Sequence, residues 1–222
     1  MRANQYTLDA GEVQQLTEQV LNEHLELTDQ GPKCRAEVLL SVLLYAACRV
    51  GSIFAACQRL RGAPTDEAVR QALVAQLPEM DELERRLQAS LTELLPAKLK
   101  RRKWPLAIDI TLIPYHGQPF ADKSEVYRGE AKSGTTHFHA YATCYLTRHG
   151  QRYTVALMPV TLGTSMKVVV QTLLARAREA GIRPKFLLLD RGFYAVDLIR
   201  YLQSARIPFI MPAPLGYIKY FA

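Results

Sequence analysis

Cysteine is scarce in this chain, and its few copies are not arranged in pairs. Cys34, Cys48, Cys57 and Cys144 are widely separated, and no two of them form a CxxC motif. This spacing supports neither a zinc site nor a disulfide framework. We therefore predict reduced thiols that mostly pack in the core.

A long apolar run is also lacking. The longest apolar stretch, residues 38–48, is interrupted by Ser41 and followed by Arg49, and it has roughly half of the ~20 residues that a membrane-spanning helix needs. The first 13 residues contain neither the apolar core nor the small-residue cleavage site of a signal peptide. We expect a cytoplasmic protein with no membrane partner.

Acidic residues are few in the second half of the chain. Residues 1–96 hold 9 Lys/Arg and 14 Asp/Glu, a net charge of −5, whereas residues 97–222 hold 19 and 7, a net charge of +12. Binding of a polyanion is the commonest physical reason for so strong a bias. The 49% of apolar residues is enough to build a substantial core.

The first 96 residues have the apolar periodicity and the capping residues of helices. They predict five helices, the fourth capped by Thr65, over residues 13–27, 36–48, 53–60, 66–77 and 81–94. The short helices between residues 36 and 77 fit two interpretations. We favour a helical packing module, and the alternative is a helix-turn-helix variant with exposed basic residues, namely Arg49, Arg59, Arg61 and Arg70.

A basic run, AKLKRRK, occupies residues 97–103 and marks a change of composition. We predict a domain boundary here, with residues 1–96 as a helical N-terminal region and residues 104–222 as a second domain. The run is either a solvated linker or a strip that contacts phosphates. Its candidate DNA-binding residues are Lys100, Arg101, Arg102 and Lys103.

From Trp104 onward the pattern is typical of an α/β domain. Strands are predicted over residues 106–114, 136–147 and 152–160, the last two joined by a hairpin at His149. A helix capped by Thr164 or Ser165, a strand covered on both faces, another helix and a buried strand follow, over residues 166–180, 185–190, 195–205 and 207–211. Three antiparallel strands followed by helix, strand, helix and strand form the order of a ribonuclease-H-like mixed sheet.

Two aspartates carry the candidate chemistry. Asp109 lies in the middle of an apolar strand, where a buried carboxylate would need a partner, and a cation is the obvious one. Asp190 ends a later strand, where ligand sites of α/β sheets gather. If the two strands are neighbours, the carboxylates offer hard oxygen ligands to Mg²⁺ or Mn²⁺, the ions that support phosphodiester chemistry.

The strings AIDITLIPYHG, GTTHFHAYATCYL and LLLDRGFYAVDLIRYL resemble the catalytic domain of DDE-class insertion-sequence transposases over about residues 104–212. The helical front resembles the N-terminal region of the same proteins. The resemblance implies a metal-dependent transposase that cleaves and joins double-stranded DNA at transposon ends, with possible self-association. Its first two catalytic and metal-binding acids fall on Asp109 and Asp190.

The same resemblance implies a third acid, a Glu within a Tyr/Arg-rich motif on a later helix. No such motif occurs, and no Asp or Glu follows Asp197. We therefore expect a truncated transposase with little or no strand transfer by itself. Two alternatives remain: a non-catalytic, DNA-binding or inhibitory form, and a ribonuclease-H-like nuclease whose third ligand is Glu125 or Glu130.

Further candidates for contacts to the DNA backbone surround the aspartates. Lys123, Arg128 and Lys132 fall in a polar segment between the first two strands, which is either an exposed loop or a DNA-contacting one. Arg191 follows Asp190 directly and either holds a phosphate or neutralises local charge. The histidines His116, His137 and His139 lack a nearby acid or cysteine cluster, so a histidine metal site is disfavoured.

Overall fold

The structure, a computed structural model, describes residues 9–49, 51–117, 126–148 and 150–213. Over these residues it is a mixed α/β protein with seven α-helices and one six-stranded mixed sheet. The chain divides into two units, Met1–Ser90 and Leu91–Ala222, each of which has its own core.

The first unit is helical, as the apolar periodicity predicts. Its helices are α1 (Ala10–Leu25), α2 (Ala36–Cys48), α3 (Ile53–Arg59), α4 (Asp66–Val74) and α5 (Met80–Glu93), which continues into the second unit. Side-chain oxygens satisfy free N–H groups at several helix starts. Thr65 caps α4 as predicted, because its Oγ1 accepts a hydrogen bond from the Ala68 N–H at 3.3 Å.

The core of the first unit is formed mainly by α2, α3 and α4. Leu39, Val42, Ala56 and Val69 are fully buried in it. Among the described residues, no single helix is long and apolar enough to span a bilayer, and α2 and α3 reach that length and composition only together, across a sharp bend.

The second unit contains the whole sheet. Its strands are β1 (Lys103–Pro114), β2 (Tyr127–Lys132), β3 (Thr135–Arg148), β4 (Gln151–Val160), β5 (Arg183–Leu189) and β6 (Phe209–Ile210). Helix α6 (Met166–Glu179) precedes β5, and α7 (Val196–Ser204) precedes β6. Ser165 caps α6, since its Oγ accepts from the Val168 N–H at 3.3 Å.

Strand β1 is central, with β3 antiparallel on one side and β5 parallel on the other. β6 continues the sheet in parallel beyond β5. On the outer edge of β3, β2 pairs with residues 135–138 and β4 with residues 140–148. The predicted order of three antiparallel strands, helix, strand, helix and strand is therefore present, with β2 as an additional strand.

Strand β2 corrects the prediction of a loop between the first two strands. It forms a hairpin with β3 through Ser133 and Gly134, whose φ angles of 53° and 78° are both positive. Positive φ at two central residues is the requirement of a tight hairpin turn that matches strand twist. Because most of β2 is exposed, it lacks the buried apolar face that predicts strands.

One face of the sheet carries the core of the second unit. Leu106 and Ile108 of β1 and Cys144 of β3 pack there with Leu173 of α6 and Leu198 of α7. On the opposite face, the described structure leaves Leu188 40% exposed and Ile210 61% exposed. The prediction that residues 185–190 are covered on both faces is therefore wrong for the described structure.

The basic run at residues 97–103 packs against this core through Leu99, so it is not the solvated linker that was one of its two interpretations. Residues Ala97–Arg101 form a short 3₁₀ helix in which Leu99 is fully buried. The indole Nε1–H of Trp104 donates to the Leu99 carbonyl oxygen at 2.7 Å. The guanidinium of Arg102 lies 3.9 Å from the Trp104 ring centroid and stays exposed.

Candidate active site

Asp109 lies on the face of β1 that the helices do not cover. Its neighbours Ile108 and Leu106 alternate to the core face, so the pleat directs Asp109 to the opposite side. The carboxylate is exposed, which corrects the expectation of a buried group that needs a partner. Exposure makes it accessible to a ligand from solvent.

Asp190 follows the last residue of β5 and starts a tight turn. Its Oδ1 accepts a hydrogen bond from the Gly192 N–H at 2.9 Å, which caps the 3₁₀ helix Arg191–Phe193. Phe193 is 1% exposed and anchors this turn in the core. A Cβ on Gly192 would lie 3.1 Å from Asp190 Oδ1, so glycine leaves room for the cap. The Asp-Arg-Gly-Phe string thus has a structural reason for each residue except Arg191.

The register of β1 and β5 brings the two aspartates together. The last paired residues are Ile108 and Leu189, both in the core face, so Asp109 and Asp190 occupy the next position on the open face. Asp190 keeps an extended backbone, with φ −80° and ψ 178°. Neighbouring strands lie about 4.8 Å apart, so Asp109 and Asp190 are next to each other across the two strands. The predicted adjacency of their strands is confirmed.

A polar and aromatic face of β3 and β4, which was not predicted from the sequence, borders Asp109. Thr143 is the register partner of Asp109 on β3. Its Oγ1 accepts from Arg152 Nη2 at 3.4 Å, and the Arg152 guanidinium lies 3.7 Å from the ring centroid of Tyr145. The alternation of residues 136–147 contained this signal, because one face is apolar and the other carries His139, Tyr141, Thr143 and Tyr145.

The histidines of β3 lie on the same open face as Asp109 but farther along the strand. His139 pairs with Ile113, four residues beyond Asp109 on β1, and its ring meets that of Tyr115 edge to face at 5.1 Å. Within the ranges that the structure describes, no group of three or more His, Cys, Asp or Glu side chains is arranged to hold a metal ion. Asp109 and Asp190 therefore have no third acid, histidine or cysteine beside them in a metal-binding arrangement within these ranges.

Of the two substitutes for a third acid, Glu125 lies outside the described residues, and Glu130 lies in β2 rather than in a loop. Strand β2 pairs with β3 at Phe138 and His137, whereas Asp109 faces Thr143. Five or more strand residues along β3 correspond to roughly 17 Å. Glu130 is therefore too far away to join the aspartates in one site.

The candidate DNA-binding residues fall in three places. Arg191 is exposed beside Asp190, and exposed Arg128 and Lys132 lie on β2, not in a loop. Lys123 lies outside the described residues. The four residues of the basic run lie around the start of β1: Lys100, Arg101, Arg102 and Lys103. Of the candidates within the described residues, only Arg191 is adjacent to the carboxylate pair.

In the first unit, the arginines of the helix-turn-helix alternative are exposed. Arg70 forms an ion pair with Asp66 of the same helix at 2.7 Å, and Arg49 lies 6.0 Å from the ring centroid of Tyr45. Both contacts are local, so these two side chains already have partners within their own helix or turn. These contacts therefore favour neither the helical packing module nor the helix-turn-helix variant.

Comparison with known proteins identifies no family. No protein-family model matches the chain, and no curated protein matches it significantly. Among solved structures, it is similar to a piggyBac transposase in a cryo-EM synaptic complex with hairpin DNA, with 11% identity and a TM-score of 0.37 over 95% of this chain. The match covers 43% of that chain, so the present chain spans less than half of its length. A likeness at this level carries no argument about function.

Proposed function

We propose that the second unit is the ribonuclease-H-like part of a DDE-class insertion-sequence transposase, in which Asp109 and Asp190 together bind Mg²⁺ or Mn²⁺. The observation that supports this best is their register. The two carboxylates occupy neighbouring positions on adjacent parallel strands, on the open face of the sheet. Both carboxylates are exposed, so neither packs in the core, although Asp190 also caps its own turn.

The strand order supports the same proposal. The antiparallel strands β4, β3 and β1 are followed by β5 and β6, which lie parallel to β1 on its other side, with α6 and α7 as the connecting helices. This is the order that a ribonuclease-H-like sheet requires, with β2 as an extra hairpin strand. It also explains why residues 81 positions apart in the sequence, Asp109 and Asp190, lie side by side.

The donor set fits a hard divalent ion. Mg²⁺ commonly uses one or two protein carboxylates and fills its other positions with water and phosphate oxygens. Asp190 uses Oδ1 to cap its turn, which holds the carboxylate in place and leaves Oδ2 for a ligand. Asp109 has no hydrogen bond in the described structure that would compete with an ion.

The chain's own residues position a phosphodiester and its metal ions. When bound, such ions activate a water or a 3′-hydroxyl and stabilise the leaving oxygen of an in-line displacement at phosphorus. Asp109 and Asp190 would hold such ions at the end of the parallel strands, and the Gly192 N–H orients Asp190. The exposed guanidinium of Arg191 is adjacent and suits a non-bridging phosphate oxygen.

Iron-dependent cleavage of the protein tests this site without requiring turnover. Fe²⁺ replaces Mg²⁺ in carboxylate sites and, with ascorbate and peroxide, generates radicals that cut the nearby backbone. We expect cuts near residues 109 and 190 that excess Mg²⁺ suppresses. Asp109→Asn and Asp190→Asn should abolish both cuts, whereas Asp197→Asn, a matched exposed aspartate in the first turn of α7, should leave them.

Strand-transfer assays with Mg²⁺ and duplex DNA complete the test. We expect little or no transfer by this chain alone, because two carboxylates supply fewer ligands than the three that the family resemblance implies. Robust transfer would contradict that expectation. Cuts that persist in both asparagine variants, with DNA binding unaffected by metal, would overturn the metal site and favour the non-catalytic DNA-binding alternative.

A further inference from the structure

A cationic groove lies at the end of the sheet opposite the aspartates, and we propose that it is a second nucleic-acid-binding surface that holds the phosphate backbone of double-stranded DNA. We call it the rear groove. It has a volume of about 590 Å³, and its charged lining consists of Lys103, Arg178, Arg183, Lys185 and Arg206. No carboxylate is among the residues that line it in the described part of the chain.

The fold brings these cations together from four separate segments. Lys103 and Arg183 are the first residues of β1 and β5, and they are register partners. Lys185 follows on β5, Arg178 lies in the last turn of α6, and Arg206 lies in the turn after α7. The rear groove is therefore a property of the folded unit and not of one basic stretch.

The basic run extends the rear groove along the surface. Lys100, Arg101 and Arg102 line a smaller concavity of about 170 Å³, which shares Lys103 and Arg183 with the rear groove. Counted over the described residues, the two concavities together carry eight Lys or Arg side chains and no acid in their linings. A concave surface with charge of one sign focuses its potential and attracts polyanions.

These cations do not stabilise the protein through ion pairs. All eight residues are exposed, and none of them is in an ion pair within the part of the chain that the structure describes. The nearest acid along the chain is exposed Glu179, beside Arg178. Lys103 and Arg183 pair across the sheet with like charges, an arrangement that lowers stability. An external anion is the partner that this arrangement lacks.

Arg206 adds an independent observation. Its φ of 53° is in the left-handed region, where glycine or asparagine is preferred over a long side chain. The chain thus places a guanidinium on the groove at a backbone position that favours a different residue. Glycine at this position would relieve the left-handed backbone but would remove this cation from the groove.

The lining indicates duplex DNA and not a single strand. Proteins that bind single strands combine cations with exposed aromatic rings on which bases stack. Among the described residues, the uncharged lining of the rear groove is Pro184, Ile207 and Pro208, with no aromatic ring. The nearby Trp104 is buried and covered by Arg102. Cations without stacking rings match the regularly spaced phosphates of a duplex.

The rear groove and the aspartates cannot engage the same few phosphates. Six residues separate Lys103 from Asp109 along β1, which corresponds to roughly 20 Å, more than half of the ~34 Å turn of a duplex. The rear groove contains neither aspartate and has only its ligand class, duplex DNA, in common with the proposed function. We therefore expect the protein to hold either one duplex at two points or two separate duplex segments.

Binding of a 30-bp duplex by fluorescence anisotropy, measured at several salt concentrations, tests the proposal. A groove variant carries Arg178→Gln, Arg183→Gln, Lys185→Gln and Arg206→Gln. We expect the slope of log affinity against log salt to fall by about 3 to 4, since each phosphate contact contributes about 0.9. A control variant with the same change of charge replaces exposed cations elsewhere by Gln, of which Arg35 and Arg85 form surface ion pairs and Lys33 and Arg200 do not: Lys33, Arg35, Arg85 and Arg200. Its slope should stay within about 1 of the wild-type value.

Two further arms separate this proposal from the metal site. Asp109→Asn with Asp190→Asn should leave the salt slope intact, and the groove variant should still bind Mn²⁺. Arg206→Gly should lose about one unit of slope while its thermal midpoint rises, so weaker binding cannot be ascribed to unfolding. Equal losses in the groove and control variants, or a larger loss for a 30-nucleotide single strand than for the duplex, would overturn the proposal.

Discussion

Substitutions of Asp190 separate its structural role from its proposed metal-binding role. The Asp190 Oδ1 atom caps the 3₁₀ helix at 2.9 Å from the Gly192 nitrogen, and the residue is exposed. Asparagine keeps an oxygen acceptor at the same place but removes the charge, whereas alanine removes both. A lost cap of this kind costs about 0.5–2 kcal/mol. We therefore expect Asp190→Ala to lower the free energy of unfolding by about 1 kcal/mol, and Asp190→Asn to change it much less.

Metal binding should follow a different pattern in the same two variants. Both lack the carboxylate, so both should lose Mn²⁺ affinity by at least about tenfold, or 1.4 kcal/mol. Urea denaturation measures the free energy of unfolding, and isothermal titration with Mn²⁺ measures the metal affinity. If Asp190→Asn is as destabilising as Asp190→Ala, the hydrogen bond from the Gly192 N–H to Oδ1 does not stabilise the turn. If asparagine keeps wild-type Mn²⁺ affinity, the carboxylate is not a ligand.

Three other predictions concern the core of the second unit and the pH dependence of α5. Burial raises the pKa of the Cys144 thiol to about 12, so a thiol reagent at pH 8 should label exposed Cys48 in the native protein and Cys144 only after unfolding. Trp104→Phe leaves the buried Leu99 carbonyl without its donor, and chemical denaturation should show a loss of about 1–3 kcal/mol. Hydrogen bonds from two arginines of α5 lower the pKa of Glu82 from 4.5 to about 2. Its contribution to stability is therefore complete above pH 4.5 and lost as pH falls toward 2; Glu82→Gln should remove that part of the acid dependence, and high salt should weaken it.

Much of the fold could be predicted from the sequence where one face of an element is buried. Helix α2 has the predicted bounds, and Thr65 and Ser165 cap α4 and α6, because capping and apolar periodicity are local signals. The strands β1, β3 and β4 and their order were predicted for the same reason. Strand β2 was not, since its stability comes from a two-residue turn and backbone pairing to β3 rather than from a buried face.

The site could be predicted only in part. The residue types and the strand order indicate that Asp109 and Asp190 are neighbours, but the sequence does not show which face of the sheet is open. An apolar neighbourhood in the sequence suggested that Asp109 is buried, whereas the pleat places it opposite the core. The rear groove depends on which segments meet at one end of the sheet, as Arg178 and Arg206 do, so no local pattern could predict it.

The measurement that tests the central claim most directly is a double-mutant cycle of Mn²⁺ affinity at Asp109 and Asp190. If both carboxylates bind the same ion, each asparagine substitution weakens Mn²⁺ binding by about tenfold or more. The loss of binding free energy in the double variant then differs clearly from the sum of the losses in the two single variants. Wild-type affinity in either single variant, or losses that add as for independent sites, would contradict the account.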